Sequence, residues 1–319
     1  MAHHWLMDGA SIAMARPHRK PVMTTSGTKS VALSQTSVVR ELLAGASARA
    51  YNERRHLRRG KNRMLLALDV GNTNTTIGVF RGEVLQATWR IATNVARLAD
   101  EYAITILCLL DADGIERREV KEAVLASVVP DLVPVLQRFC QRYFEVSPLV
   151  IGTGTKTGVR ILYDSPRDVG ADRVADAVAA IKLYGPPPLI LVDLGTATVF
   201  DAISAEGDYL GGAIAPGIGI ASEALYERAA KLYPVELQRP LSAVGKNTVS
   251  AMQSGILFGF VGLIEGMVAR FKKELGPDTR VIATGGWAEV LARETAVIDA
   301  VDLDLTLTGL RLIYEANRS

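Results

Sequence analysis

Two stretches of the chain share one pattern: a short apolar run, a single Asp, and a Gly- and Thr-containing turn after which apolar residues resume. In the first stretch the apolar run spans residues 64–68, and apolar residues return within 76–80. Such runs, bounded by turn residues, are typical of buried strands, so the pattern predicts two strands joined by a tight turn over 71–74. Glycine in the turn lets the backbone approach a ligand without a β-carbon in the way.

The second copy follows 124 residues later, where the apolar run 189–192 is followed by Asp193, the turn 195–198 and more apolar residues. The first copy alone leaves a plain hairpin turn and a phosphate-binding turn equally open. Two copies indicate a duplicated domain in which each half presents a phosphate-facing turn to one cleft. This arrangement resembles the actin, hexokinase and acetate kinase superfold, a duplicated two-lobe α/β fold of the ribonuclease H-like type.

Strand and helix patterns alternate through both halves, as in layered α/β lobes. In the first half the patterns predict further strands over 83–91, 123–129 and 147–151 and helices over 98–110 and 131–144. A helix over 172–184 and the spacer 185–188 lead to strands over 189–194, 198–204, 209–214 and 280–284 and helices over 218–233, 248–275 and 310–316. We therefore predict lobes over 64–184 and 185–319.

Glycines interrupt the long apolar helix predicted over 248–275. They occupy positions 255, 259, 262 and 266. Spacings of three and four residues place them on one helical face. This spacing favours close packing against another helix over a groove for a ligand.

Composition supports a soluble globular chain of ordinary size. Its 319 residues suffice for two domains, and 49% of them are hydrophobic. No stretch reaches the roughly 18 uninterrupted apolar residues of a membrane helix, so we expect no membrane partner.

The net charge of +2 hides a sharp asymmetry. Residues 1–63 contain 12 basic and 3 acidic residues, whereas the rest contains 24 basic and 31 acidic residues. The acidic body gives no support for general nucleic-acid binding. The basic segment 1–63 is consistent with a disordered extension or translation from an upstream start, with a transit-like peptide, or with a nucleic-acid-binding arm. Met64, immediately before the first strand, would make a natural start.

The histidines and cysteines narrow the possible chemistry. All four histidines precede Met64, so histidine-based triads and histidine zinc sites are excluded from the body. Any general base there must be a carboxylate, Lys or Tyr. Cys108 and Cys140 lie in apolar helical patterns, which predicts that both thiols are buried. Two thiols are too few for a disulfide scaffold, which fits a reducing cytoplasm.

Four further clusters are candidates for chemistry, and each has a plainer interpretation. Asp172 and Arg173 at a helix start could be a cap and a surface ion pair, or a carboxylate base beside a cation. The glycines of 211–217 and of 285–286 could be turns or could permit close approach of a ligand. Thr248 could be a helix N-cap or a hydroxyl donor to a substrate.

Taken in order, these motifs resemble the type III pantothenate kinase family. The resemblance covers Met64 to Asn317 and rests on four ordered motifs: Asp69-Val70-Gly71-Asn72-Thr73, Gly170-Ala171-Asp172-Arg173, Asp193-Leu194-Gly195-Thr196-Ala197-Thr198 and Gly211-Gly212-Ala213-Ile214-Ala215-Pro216-Gly217. It implies phosphorylation of pantothenate by ATP, the first step of coenzyme A biosynthesis. The extension before Met64 departs from the family pattern.

The resemblance also implies roles for particular residues. ATP phosphates and Mg²⁺ would be held by the turn Asp69, Val70, Gly71, Asn72, Thr73, Asn74, Thr75 and Thr76, with Thr196 also contacting ATP. Pantothenate would contact Tyr163, Gly170, Ala171, Asp172, Arg173 and Thr248, with Asp172 as the general base. Asp193 would bind a monovalent cation, K⁺ or NH₄⁺. By the same resemblance the protein would be a homodimer with the acceptor site near the subunit interface.

Phosphoryl transfer asks a protein mainly for positioning and charge neutralisation. We therefore expect the metal and Arg173 to offset the developing charge. Two alternatives stay open from the residues: another small-molecule kinase of the superfold, and a non-enzymatic regulator on the same scaffold.

Overall fold

A computed structural model describes residues 63–318. The basic segment singled out in the sequence lies outside the described residues except for Arg63. Every structural statement below refers to 63–318.

The first half of the described chain forms a five-stranded sheet with two helices. Its strands and helices are β1 (Met64–Val70), β2 (Asn74–Arg81), β3 (Val84–Ala92), α1 (Ala99–Ala112), β4 (Val120–Ser127), α2 (Leu132–Phe144) and β5 (Leu149–Val150). Short 3-10 turns occur at Arg117–Glu119 and Pro166–Asp168.

A helix, α3 (Ala171–Tyr184), connects this half to a second five-stranded sheet. The elements that follow are β6 (Leu189–Leu194), β7 (Ala197–Ile203), β8 (Tyr209–Pro216), α4 (Ile218–Arg228), α5 (Thr248–Leu275), β9 (Arg280–Thr284), α6 (Ala288–Ala292), β10 (Ala300–Val301) and α7 (Leu305–Asn317).

The two sheets have the same topology. The first runs β3-β2-β1-β4-β5, and the second, read from its opposite edge, runs β8-β7-β6-β9-β10. In each, the first three strands along the chain form an antiparallel meander, and the last two strands add in parallel. The duplication expected from the two Asp–Gly–Thr turns is therefore present in the strand order itself, and the fold is the two-lobe α/β type predicted from the sequence.

Alternation along the central strands of the two sheets assigns the helices to layers, because successive side chains of a strand point to opposite faces. On β1, Leu66 and Leu68 pack with α1 and α2, whereas Leu65 and Ala67 pack with α3 and α7. On β6, the residues of one face pack with α4 and α5, and those of the other face pack with α3. Helix α3 thus lies between the sheets, with α7 beside it.

The space between the sheets is narrow, and the sequence of α3 reflects this. Ala175, Ala177, Ala179 and Ala180 are fully buried. Gly309 of α7 approaches α3 so closely that a β-carbon there would collide with the carbonyl oxygen of Ala175. Small side chains on both helices let them fit together into one layer.

Two sequence predictions in the second half were wrong, and two short elements were not predicted. The helix predicted to reach residue 233 ends at Arg228, where Ala229 takes an extended conformation. Helix α7 begins at Leu305 rather than 310, because Leu303, Leu305 and Leu307 alternate with polar residues and imitate the period of a strand. The short α6 and β10 carry too few residues to show a period and were not predicted.

The glycines of α5 do not pack as expected. A β-carbon at Gly255, Gly259 or Gly262 would meet nothing within 4 Å, so this face is open in the described part of the chain. Among the described helices, α5 is the one long and apolar enough to cross a membrane by length and composition. Its opposite face, with Leu257 and Ile264, is buried against the second sheet, as in the core helix of a soluble protein.

The two ends of the described chain meet at one carboxylate. Glu122, on β4, forms ion pairs with Arg63 at 3.9 Å and with Arg318 at 3.0 Å, both through Oε1. The start of β1 and the end of α7 therefore lie side by side.

Candidate functional site

The two Asp residues of the repeated turns point into the space between the sheets. Asp69 follows Leu65 and Ala67 in the alternation of β1, and Asp193 follows Leu189 and Leu191 in that of β6. These are the faces that contact α3. Both carboxylates therefore lie on the inner face of their sheet, at equivalent points of the duplicated fold.

The first turn presents its polar groups unequally. Asn72 and Thr73 are exposed at its tip, whereas Val70 and Thr75 are fully buried and can offer a ligand only backbone groups. The Gly71 N–H donates to the Asn74 carbonyl at 3.0 Å and closes the turn.

Thr93, just after β3, holds the first turn from behind. Its hydroxyl donates to the Gly71 carbonyl at 2.8 Å, and its N–H donates to the Thr73 carbonyl at 2.9 Å. Its hydroxyl also lies 2.9 Å from that of Thr75. The end of β3 and the turn thus form one rigid unit.

The second turn is built so that glycine is required around Asp193. A β-carbon at Gly285 would collide with the Asp193 carboxylate, and one at Gly195 would stand 3.2 Å from the same oxygen. A β-carbon at Gly217 would collide with the carbonyl of Thr196. Thr196 itself is exposed, and its hydroxyl lies 3.1 Å from the hydroxyl of Thr73, so the tips of the two turns touch.

Asp172 enters this space from the first turn of α3. Its Oδ1 accepts a hydrogen bond from the Arg173 N–H at 2.8 Å. The cap residue is Gly170, where any side chain would collide with the Asp172 carboxylate. The structure therefore brings Gly170, Ala171 and Asp172 together with Asp69 and Asp193.

Arg173 does not face the Asp69–Asp193 space with a free charge. Its Nε donates to Asp201 at 3.0 Å, and a second nitrogen also bonds to Asp201. The Tyr209 hydroxyl donates to the same carboxylate at 2.7 Å, and the guanidinium stands over the Tyr209 ring. Burial raises the pKa of Asp201, although the Arg173 hydrogen bond opposes that shift.

Tyr163 joins this cluster from the loop before α3. Its ring packs edge-on against Tyr209 with centroids 6.5 Å apart, and it covers Gly211, where a β-carbon would stand 3.2 Å from the ring. Gly211 has a φ of +128°. Tyr163 and Arg173 therefore belong to one cluster beside Asp172; their assignment to the pantothenate site stays a prediction.

Thr248 lies elsewhere. It opens α5, with Asn247 as the capping residue, on the face of the second sheet opposite to α3. There it lines a cavity of about 730 Å³ between α4 and α5 together with Lys246, Ala251 and Met252. Within one chain the structure does not bring Thr248 to Asp172.

Crowded carboxyl groups dominate the electrostatics of the site. Burial, and then the negative charge of neighbouring Asp172, raise the pKa of both Asp69 and Asp193 to about 7. Arg90 on β3 is the cation that opposes both shifts. A bound cation would relieve this repulsion.

Asp176 is a further carboxyl group in the same space that the sequence did not single out. It lies one turn after Asp172, is 5% exposed, and its Oδ1 has no hydrogen-bond partner; Thr306 of α7 supplies a hydrogen bond to the carboxyl group. Burial, reinforced by Asp193, raises its pKa well above the ordinary value of 3.8. The sequence analysis did not identify Asp176, Asp201 or Arg90 as site residues. The signal for the first two was an acidic residue inside the apolar pattern of α3 and of β7, and Arg90 had no such signal.

The donors fit a cation that also binds phosphate. Within 63–318, no group of three or more His, Cys, Asp or Glu residues is placed to hold a metal alone. Mg²⁺ in phosphate-handling sites is commonly held by one or two carboxylates together with phosphate oxygens and water. Asp69 and Asp193, both half-buried and facing one space, offer carboxylates for cations beside bound phosphate.

A duplicated ribonuclease H-like fold, with an acidic turn from each half facing one cleft, is an architecture shared by two-lobed ATP-dependent kinases. The sequence profile of the type III pantothenate kinase family matches residues 65–270. Type III pantothenate kinases of Geobacillus thermodenitrificans and Roseiflexus sp. are 53% and 52% identical over 254 and 256 residues, which is 80% of this chain and 98% and 100% of theirs. The chain belongs to the type III pantothenate kinase family.

A solved structure supports the fold independently. A Campylobacter jejuni protein described as a Baf family transcriptional activator matches with a TM-score of 0.53 at 20% identity, over 79% of this chain and 98% of its own. That likeness concerns the fold alone. The family assignment establishes the reaction as ATP-dependent phosphorylation of pantothenate in coenzyme A biosynthesis. It decides against the regulator and the other small-molecule kinases left open by the residues.

Asp176→Asn tests the crowding of carboxyl groups. Because its pKa is raised in the folded state, Asp176 stabilises the fold fully below its unfolded pKa, near 4, and that contribution is lost as pH rises through the raised pKa. The neutral Asn avoids the loss. We expect the melting temperature of Asp176→Asn relative to wild type to increase between pH 5 and pH 8, by at least about 2 °C.

Thermal unfolding of the ligand-free proteins at both pH values measures this difference. Asp278→Asn, at an exposed position, is the matched control and should show no such trend. A difference between Asp176→Asn and wild type that is the same at both pH values would contradict the prediction.

Proposed function

We propose that Asp172 is the general base of the kinase reaction. The supporting observation is its position at the start of α3, between the inward-facing Asp69 and Asp193. A base must lie within reach of the proton that it removes. With ATP phosphates at the turns, a pantothenate hydroxyl in line with the terminal phosphate would meet the Asp172 carboxylate.

In this arrangement the first turn holds the ATP phosphates through the exposed Asn72 and Thr73 and through the backbone of its buried residues. Thr196 contacts ATP from the second turn, and Mg²⁺ bound near Asp69 would offset negative charge on the phosphates. Asp172 accepts the hydroxyl proton as the phosphoryl group moves, and Tyr163 and Gly170 to Arg173 line the pantothenate site. The Arg173–Asp201–Tyr209 bonds keep α3 and its base in register with the second sheet.

Asp172→Asn should lower turnover by on the order of 10²-fold or more, because Asn cannot accept the proton. Affinity for ATP should remain nearly unchanged. A coupled assay of ADP release with pantothenate measures the first quantity, and calorimetric titration with ATP measures the second. Asp168→Asn, an exposed change in the same segment, is the control. Near-normal turnover by a folded Asp172→Asn protein would remove Asp172 from this role.

We further propose that Asp193 binds a monovalent cation, K⁺ or NH₄⁺. Gly195 and Gly285 leave room only for small groups around its carboxylate, and an uncompensated buried charge there is costly. Asp69 serves the phosphate side, which leaves Asp193 for a different ion. The cation would steady the Gly195–Thr198 turn against the nucleotide.

Replacing K⁺ by Na⁺ should therefore raise the Michaelis constant for ATP or suppress turnover. Asp193→Asn should reduce both activity and the dependence on the cation. The measurement is the initial rate across a K⁺ titration at constant ionic strength, with ammonium excluded. Equal activity in K⁺-free sodium buffer would rule the site out.

A homodimer is the third part of the proposal. It is supported by the open glycine face of α5 and by strongly exposed apolar residues before that helix, Tyr233, Leu241 and Val244. Glycines spaced in this way let two helices approach closely, and a second chain could cover the face that this chain leaves open. The same contact would place Thr248 near a subunit interface. The expectation of buried thiols is correct for Cys140 and wrong for Cys108, which is exposed. Both thiols are free, which supports a cytoplasmic location.

Light scattering coupled to gel filtration should give a mass about twice that of one chain, and Gly259→Arg should shift it toward the monomer by placing a bulky charge in the contact. Glu274→Arg adds a charge of the same sign at the last turn of α5 and should leave the dimer intact. A dimer that withstands Gly259→Arg would place the contact on another surface.

A further inference from the structure

Arg90 shares a face with the acidic site. In the register of the first sheet, Asp69 of β1 lies opposite Thr76 of β2, and Thr76 lies opposite Arg90 of β3. Residues directly opposite each other across neighbouring strands project to the same face. Arg90 therefore projects into the space between the sheets, about 10 Å of strand spacing from Asp69.

The guanidinium of Arg90 reaches the other half of the molecule. A β-carbon at Gly286 would stand 3.1 Å from Arg90 Nη1, so the side chain lies against the glycine turn that follows β9. Its charge also acts on both Asp69 and Asp193. The cation thus bridges the cleft from a strand of the first sheet to a turn of the second.

Arg90 has no partner of its own. Within residues 63–318, no hydrogen bond or ion pair engages its guanidinium, whereas Arg173 is committed to Asp201. The guanidinium of Arg173 is therefore not free to neutralise the charge that develops on the phosphates. Arg90 offers one, with N–H groups that match pairs of phosphate oxygens.

The duplication supplies an internal comparison. In the second sheet the equivalent row runs from Asp193 through Val199 to Ile214. An isoleucine thus occupies the place of Arg90, so the fold itself does not require a cation there. The positive charge is present in the first sheet. In the same half, Thr93 connects the end of β3 to Gly71 and Thr73 of the first turn through hydrogen bonds.

We propose that Arg90 binds the polyphosphate of the nucleotide, clamping it between the first turn and the glycine turn of the second sheet. This inference rests on the proposed placement of ATP phosphates at the first turn. Its consequence is that closure of the two halves is coupled to phosphate rather than to adenosine. Charge on the phosphates is then offset by Arg90 as well as by the metal.

The test is calorimetric titration of Arg90→Gln, Arg90→Lys and wild type with ATP and Mg²⁺, and with adenosine. Arg90→Gln should weaken ATP binding by roughly 10- to 100-fold, the usual range for losing a hydrogen bond to a charged group, and should leave adenosine binding unchanged. Arg90→Lys should fall between the two, because it keeps the charge and loses the paired geometry. In the coupled assay the Michaelis constant for ATP should rise while that for pantothenate stays constant.

Arg138→Gln removes an exposed guanidinium from α2, on the outer side of the first sheet, and should bind ATP as wild type does. Unchanged ATP affinity in Arg90→Gln would overturn the inference, as would an equal loss for ATP and adenosine in both Arg90 variants. A different result would show that the proposed placement of the ATP phosphates at the first turn is wrong. In that case Asp69→Asn would bind ATP as tightly as the wild type does.

Discussion

Gly309 of α7 lies against the carbonyl oxygen of Ala175 in α3, so closely that a β-carbon at residue 309 would collide with it. That contact fixes how thin the helical layer between the two sheets can be. A larger residue at position 309 would separate the helices and push the sheets apart. The distance between the sheets in turn determines whether Asp172, at the start of α3, meets the carboxylates that project from β1 and β6.

Close approach has an electrostatic consequence. Asp69, Asp172, Asp176 and Asp193 share one space, and each of the other three raises the pKa of Asp176. Such a cluster opposes folding when no cation is present. Binding of cations and nucleotide therefore stabilises the folded state as well as enabling chemistry, since a ligand that binds only the native state shifts the unfolding equilibrium. The residues that make the site useful are the ones that cost the empty protein stability.

Much of this architecture can be predicted from the sequence, because the strands and the two turns are short, strongly apolar and repeated. The bounds of β6, α5 and β9 were predicted to the residue. The functional site was harder to predict from the sequence, because Arg90 lies on a strand whose exposed and half-buried residues simply alternate. Nothing in that pattern separates a guanidinium facing the cleft from one facing solvent. Only the register from Asp69 through Thr76 reveals it.

The contact partners of individual residues were equally hard to predict from the sequence. Arg173 was expected to serve the phosphate, but Asp201, an acidic residue in an apolar strand, takes its charge. The glycines of α5 were expected to contact a helix, and periodicity cannot say whether that helix belongs to the same chain. Whether the lobes divide at residue 185 also stays a prediction, because α3 and α7 contribute to the layer shared by both sheets.

The ion pairs of Glu122 with Arg63 and Arg318 have a topological consequence. Because Arg63 and Arg318 converge on one carboxylate, the backbone of residues 63–318 is nearly a closed ring. In a chain shortened to residues 63–318, joining these two ends would leave the order of every described strand intact, and new ends could be opened in an exposed turn. A circular permutant made in this way would change which half is synthesised first while preserving the same contacts. The molecule therefore allows the order of folding of two duplicated halves to be separated from their final structure.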